Sequence, residues 1–513
     1  MTGGGMFVLV AYGTQNVLLS GNPQMTYYYK IFRRYSHFSM ENASIALDGP
    51  NELQYDQQIQ LRAKIQRIGD LMSDIYLSFR IPDIYSKYVP SRANQYEFKW
   101  VRYLGAAIIN RVEFFVGGQR IQYLDGSYLL AKAMMEYDTD AFNKWRILVG
   151  DTNELTSPEG GAYSGGTTKT GYPHVIEDPT RIGVSQTNRP SLFGQDIHVP
   201  LNFWFTDAAS QALPLCALQY QDCEVQITLN PIKELYTILD VSGYRVGPDY
   251  MMNTDLTSIR NNKPSYSITT DPNSQIRNFL QDIRATLGPN TWFLNPRLQC
   301  TFVYLAEEER NTFASRSLSY IFPQVTPILN PGVIQNSTID LDLHNPLTRL
   351  IFIPRRSDWI QRNDFSNFTN WYTYPFIPYN PTQNIAPYLQ SGFSGGILIP
   401  NSQKDIIRQL RILCDGNEIQ EVKPVDFFTK IVPYRYTHGY TNAELPFYTW
   451  AITSSKIQPS GSLNASRIRN LQAEIGIFPL PNATTYTYDI TIYAESINFF
   501  IVASGTGAPK YVL

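Results

Sequence analysis

The stretch VEFFVGGQRIQ (Val112–Gln122) aligns without a gap onto LRILCDGNEIQ (Leu410–Gln420). Each reads as an apolar run, a two-residue turn and a second run. The turns are Gly117-Gly118 and Asp415-Gly416. Such dipeptides suit a type I′ hairpin, because both central residues need φ > 0. Three further correspondences follow in the same order, the signature of an internal repeat. The strand pair over 57–81 answers to 337–354. VPLNFWF (Val199–Phe205) with 213–229 answers to 447–452 with 467–477. LQCTFVYLAEE (Leu298–Glu308) answers to YDITIYAES (Tyr488–Ser496). The reading is two copies of one β domain, about eight strands each, with different loop lengths and a join near 307–318.

Period-2 alternation supports strands throughout. Ile59, Leu61, Ala63 and Ile65 alternate with Gln60, Arg62, Lys64 and Gln66. Ile75, Leu77, Phe79 and Ile81 alternate with Tyr76, Ser78 and Arg80. Ile339–Leu343 and Tyr488–Ile492 repeat the pattern. Each is expected to be a half-buried antiparallel strand. Helical patterns are few: Ser127–Tyr137, after an Asp-Gly turn, and Glu307–Ala314. Three long segments interrupt the pattern: Gly150–Gly194, Pro231–Asn295 and the aromatic-rich Arg355–Ser402. They read as loop insertions on the strand scaffold.

Composition agrees. The chain has 513 residues, 13% aromatic, with 35 Tyr, 33 Pro and 32 Gly, a mix suited to strands joined by turns. Charged residues are 17%, against an ordinary share of about 25%. The 42 basic and 44 acidic residues leave a net charge of −2. That balance argues against a basic nucleic-acid binder and an acidic tail protein. Cys216, Cys223, Cys300 and Cys414 form no CxxC pair, so reduced structural thiols and folding in the cytosol are expected. Met6–Tyr12 is apolar but short, and the first basic residue is Lys30, unlike a signal peptide. Thr2 excludes the myristoylation pattern. A soluble chain with a Gly-rich, partly apolar N-terminal arm is expected.

No motif carries catalysis convincingly. GGAYSGGTTK (Gly160–Lys169) lacks the Gly-Lys-Ser/Thr ending of a phosphate loop. The five histidines, His37, His174, His198, His344 and His438, form no pair at ligand spacing. Asp340, Asp342 and His344 share one strand face and are a candidate cation site, with an ordinary polar strand face as the alternative. Glu307–Glu309 reads as a helix start, where the helix dipole favours acids. Arg33-Arg34 and Arg355-Arg356 are too isolated for a nucleic-acid track and read as surface or interface ion-pair donors. N-x-S/T sequons at Asn42, Asn336, Asn367, Asn464 and Asn482 are unremarkable in an Asn- and Thr-rich chain.

The chain resembles the double jelly-roll major capsid proteins of large icosahedral (nucleocytoplasmic) DNA viruses of eukaryotes. The matching stretches run almost end to end. LVAYGTQNVLLSGNPQMTYYYKIFRRYSHFSME (Leu9–Glu41) resembles the family's arm and first strand. IQRIGDLMSDIYLSFRIP (Ile65–Pro82) resembles its R-x-G-D-L segment. The first hairpin and Val199–Leu229 resemble its first jelly roll. ERNTFA (Glu309–Ala314) resembles the helix between domains. QPSGSLNASRIRN (Gln458–Asn470) and the tail YAESINFFIVASGTGAPKY resemble the second roll. Ile501, Ala306 and His344-Asn345-Pro346 depart from the family pattern, which bears on the viral subgroup.

The resemblance implies an all-β fold of two consecutive eight-stranded antiparallel jelly rolls with long insertions and few short helices. The arm is placed at 1–30. The first roll is placed at 31–306, with insertions at 150–194 and 231–295. The linking helix is placed at 307–318, and the second roll at 319–513 with an insertion at 355–402. It implies a structural, non-enzymatic role with no cofactor, no metal and no catalytic or cofactor-binding residue. Three chains would form a pseudo-hexagonal capsomer that tiles the icosahedral shell beside neighbouring capsomers. Minor capsid, cement and penton proteins would be further partners. The arm, through Met6–Tyr12, would face an inner membrane; no direct nucleic-acid contact is implied. Assembly in the host cytoplasm and residence in the virion capsid follow. Two other readings are a glycan-binding (lectin-like) surface or minor capsid protein, favoured by aromatic loops, and a cupin-like enzyme, disfavoured by the histidine inventory.

Overall fold

A computed structural model describes residues 13–87, 96–158, 172–175, 190–240, 244–253, 265–269, 271–280, 288–371, 403–439, 444–453, 458–480 and 484–511. The chain divides into two compact units, Met1–Phe38 and Ser39–Leu513. In the first, the described residues form a short turn at Thr14–Asn16 and a helical turn at Val17–Ser20. Leu18, Leu19 and Tyr27–Tyr29 stand exposed there.

The second unit contains the strands of both repeats. Those of the first are β1 (Phe38–Ala46), β2 (Ile59–Lys64), β3 (Leu71–Arg80), β4 (Ile109–Val116), β5 (Gln119–Leu124), β6 (Asp196–Pro200), β7 (Cys223–Leu229) and β8 (Arg297–Leu305). Those of the second are β9 (Leu318–Val333), β10 (Ser337–Asp340), β11 (Pro346–Arg356), β12 (Ile407–Cys414), β13 (Asn417–Pro424), β14 (Phe447–Thr449), β15 (Leu471–Ile477) and β16 (Tyr488–Ala503). The first set forms sheets ordered β1-β8-β3-β6 and β2-β7-β4-β5. The second forms β9-β16-β11-β14 and β10-β15-β12-β13. Adding eight to each number of the first pair gives the second, so the two rolls share one topology. This is the jelly-roll arrangement of two packed antiparallel sheets.

Local chemistry explains the elements. β2 alternates buried and exposed residues along its whole length. The β4–β5 turn has φ of +58° at Gly117 and +80° at Gly118; the β12–β13 turn has +48° at Asp415 and +82° at Gly416. Both are the left-handed pairs a type I′ turn requires. Helix α1 (Gly126–Glu136) starts where the Asp125 carboxylate accepts from Tyr128 N at 2.8 Å, an N-cap. Helix α2 (Thr139–Leu148) has the same device, Asp138 accepting from Ala141 N at 2.7 Å. The sequence reading missed α2, although its Asp cap was visible. Helix α3 (Glu307–Ser315) carries Glu307, Glu308 and Glu309 in its first turn, as expected.

Leu61, Leu77, Phe114, Val225 and Phe302 fill the first core. Leu350, Phe352, Leu410, Ile475 and Ile490 fill the second. The first core does not end at its own roll. It continues through Trp204 into Phe322, Ile351, Ile353 and Phe500 of the second roll. Trp204 meets Phe322 and Phe500 with ring centroids 5.4 Å from each.

Two segments read as loop insertions carry more structure than loops in their described parts. Pro231–Asn295 is not an irregular loop in its described parts. It carries strands Tyr236–Leu239, Arg245–Val246, Tyr250–Met252, Tyr266–Ile268 and Thr291–Phe293. Tyr236, Ile276 and Leu294 are fully buried, and Tyr236 stacks on Phe98 at 4.7 Å. These strands are two to four residues long, too short to show a period. Likewise 355–371 is packed interior, with Phe368 and Trp371 buried. The rest of the aromatic segment, 372–402, lies outside the described residues, as do Met6–Tyr12, Gly160–Lys169 and most of 150–194.

Candidate functional site

The most distinctive chemistry lies where the rolls meet. β11 and β16 supply Arg349 and Glu495; α1 supplies Tyr128, Lys132 and Glu136; the segment after β6 supplies Asp207. Arg349 is 1% exposed and Glu495 3%, so both charges are withdrawn from water. Arg349 Nη2 donates to Glu136 Oε1 at 2.5 Å, and its Nε lies 2.6 Å from Glu495 Oε2. Tyr128 OH donates to the other Glu495 oxygen at 2.8 Å. Lys132 Nζ donates to Asp207 Oδ1 at 3.1 Å and lies 3.9 Å from Glu136 Oε2. A cleft of about 470 Å³ opens beside these groups.

Burial raises the Asp207 carboxyl above its ordinary range, although Lys132 pulls it down. Burial alone would lower the Lys132 ammonium; Asp207 and Glu136 outweigh that and raise it. The same contest keeps Arg349 firmly charged, burial being outweighed by Glu495 and Glu136. Because the charges occupy each other, the cluster works as a joint. Any slip of one roll on the other would strand a buried charge, which costs several kcal/mol.

A second contact line runs nearby. Tyr493 OH donates to both Asp125 oxygens, at 2.8 and 2.7 Å. Arg355 Nη1 donates to Ser127 Oγ at 3.1 Å, and its guanidinium stacks 4.9 Å from Trp359 and 5.0 Å from Phe365. Burial holds Asp125 above the usual carboxylate range. Neutral bonds fasten the same seam: Gln122 Nε2 to Pro323 O and Gln211 Nε2 to Ile321 O, both 3.1 Å.

The Arg355-Arg356 pair is therefore not a surface feature. Arg356 lies inside the second roll, donating from Nε to Asp358 at 2.9 Å and lying 3.7 Å from the Tyr486 ring. Of the surface and interface readings, the interface one fits Arg355, which reaches Ser127 of the first roll; the Arg356 carboxylate partner Asp358 lies two residues on, while Tyr486 comes from a distant segment. Arg349, Lys132 and Glu495 were missed because charged side chains are ordinarily exposed.

The remaining candidates separate. Asp342 and His344 lie beyond β10 and are well exposed, 3.5 Å apart. Asp340 instead accepts from Gln472 Nε2 at 2.7 Å. Among the described residues no three His, Cys, Asp or Glu are placed to hold a metal ion. Cys223 and Cys300 are free thiols buried in β7 and β8. Asn367 of the third sequon is 2% exposed and donates to Trp371 O at 2.7 Å, so that amide is closed to modification in the folded chain.

Comparison with known proteins gives two family matches. Residues 26–265 match the model for the major capsid protein N-terminus. Residues 309–508 match the model for the large eukaryotic DNA virus major capsid protein. A major capsid protein of Chrysochromulina ericina virus is 23% identical over 598 residues, covering 99% of this chain and 100% of the relative. One from Phaeocystis pouchetii virus is 24% identical over 545 residues, covering 99% of each. The crystal structure of PBCV-1 VP54, fitted into a reconstruction of the virophage Sputnik, superposes with a TM-score of 0.63 at 17% identity. It covers 95% of this chain and 100% of that one.

Proposed function

From the premise that this chain belongs to the double jelly-roll major capsid protein family of large eukaryotic DNA viruses, we propose that it is a shell subunit that closes into a homotrimeric, pseudo-hexagonal capsomer. Its role is structural. Residues 31–306 and 319–513 are the two wall elements, and 307–318 links them. Capsomers tile against their neighbours and against minor capsid, cement and penton proteins in the virion, after assembly in the host cytoplasm. The arm faces the inner side, toward an internal membrane.

The observation that carries the ring is the unequal burial of equivalent strands. In β11 every residue from Arg349 to Arg356 is buried, because the first roll covers its outer face. In the equivalent β3, Asp74 and Tyr76 remain half-exposed. Conversely, Ile121, Gln122 and Leu124 of β5 are buried, and Gln122 donates to Pro323 O of the second roll. In the equivalent β13 no residue is buried, and Ile419 and Val422 stand exposed. Each chain thus satisfies one roll-to-roll contact internally and leaves both halves of a like contact open. A head-to-tail contact repeated between copies generates a ring when its rotation closes. Three chains give six rolls and six similar contacts.

Light scattering on the purified full chain tests this. The expected mass is three times 58.6 kDa, with hexagonal outlines by negative stain. A folded monomer at capsid-like concentrations would overturn it.

A further inference from the structure

The two rolls can be matched residue by residue at the contact. β3 and β8 have one register break, with Asp74 opposite Thr301 and Met72 opposite Phe302, leaving Ser73 unpaired. β11 and β16 have one as well, with Arg349 opposite Glu495 and Leu347 opposite Ser496, leaving Thr348 unpaired. Bulges are kept within a fold family, so Asp74 occupies the position of Arg349. The inward neighbours agree: Ile75 and Leu350 each lie in their own core.

The other side of the contact can be matched from the hairpins. Val112 pairs with Leu124, and its counterpart Leu410 pairs with Lys423. Glu136 lies twelve residues beyond Leu124; twelve beyond Lys423 is Arg435. Arg435 belongs to helix α4 (Val432–Tyr436), which continues from a π-turn at Phe427–Ile431. The faces agree too. Lys132 and Glu136 line the covered seam, while their counterparts Ile431 and Arg435 are both exposed.

Within the chain, Arg349 binds Glu136. At the matched positions the signs are exchanged: Asp74 stands for Arg349, and Arg435 for Glu136. Asp74 is half-buried and accepts from Ser73 Oγ at 3.4 Å. Arg435 lies over its neighbour Tyr436 at 5.8 Å. No ion pair joins either residue to another group among the described residues.

We propose that the open roll-to-roll contact places the Asp74 carboxylate of one chain against the Arg435 guanidinium of a second copy, a charge-reversed counterpart of the internal Arg349–Glu136 pair. This rests on the ring closure proposed above. The reversal also has a consequence for specificity. Where Arg349 is the cation of the internal joint, Arg435 is the cation of the external one. A roll docked in the wrong seam would oppose Arg349 with Arg435, or Asp74 with Glu136, and like charges in an interface are strongly disfavoured.

The test compares the wild-type chain with Asp74→Arg, Arg435→Asp and the double variant by sedimentation equilibrium. Each single variant is expected to weaken self-association by about tenfold or more. The double variant, which restores an opposite pair at every contact, is expected to return to within about threefold of wild type. Asp74→Asn and Arg435→Gln, with far-UV circular dichroism on each, give the same comparison should a reversed variant misfold. If wild type trimerises but the single variants associate normally, the pairing is overturned and the ring stands. If the single variants weaken association and the double variant does not recover, the pairing is likewise overturned. If wild type does not self-associate, the ring reading falls and the pairing with it.

Discussion

Replacing Arg349 by Leu removes the cation at the centre of the internal joint. The side chain is 1% exposed, so solvent screening is negligible. The buried Glu495 and the partly exposed Glu136 then lose the cation they share, and Lys132 lies 3.9 Å from Glu136. Breaking a buried pair by removing one partner costs about 3–5 kcal/mol. Urea unfolding followed by tryptophan fluorescence measures the loss. A triple variant, with Arg349, Glu136 and Glu495 all replaced by Leu, is expected to recover most of the loss, because no charge is then stranded. A cost below about 1 kcal/mol for Arg349→Leu would refute this account.

Three further outcomes are expected. Asp358 is buried, and Arg356 and Arg362 outweigh that burial to hold its carboxyl below the usual range; its stabilisation is present above an unfolded pKa of about 4 and is lost as pH falls through the folded value. Asp358→Asn should thus cost about 3 kcal/mol at pH 7 and progressively less below pH 4, read by thermal melting. Gly416 sits at φ +82° with open space around its Cα, so Gly416→Val should cost about 1–2 kcal/mol through backbone strain alone, measured by urea midpoint. Burial pushes the Cys223 and Cys300 thiols up to about 12, so iodoacetamide at pH 8 should label partly exposed Cys414 first and reach those two only on unfolding, as peptide mass mapping would show.

The strands, the two hairpins and the duplication were legible because their causes are local. Alternation in Ile59–Lys64 needs only a strand with one wet face. The Gly117-Gly118 and Asp415-Gly416 turns need only two residues that tolerate positive φ. The repeated hairpin then pairs each element with its copy, and the family resemblance supplied the jelly-roll assignment and the capsid role. Short strands such as Arg245–Val246 left no period to detect, and the interior role of 355–371 was hidden by its polar composition.

The joint between the rolls was decided by tertiary structure alone. Tyr128 and Glu495 are 367 residues apart in sequence, and Arg349 and Glu136 are 213 apart. A polar residue on a strand is read as facing water, since one wet face is the ordinary state of an antiparallel sheet. That expectation holds for Asp74 in β3 within one chain. It fails for Arg349 in β11, because a second roll covers that face and turns a solvated charge into a buried one that must be paired. The sequence sets which residues share a face; only packing one roll on the other decides whether that face meets water or protein.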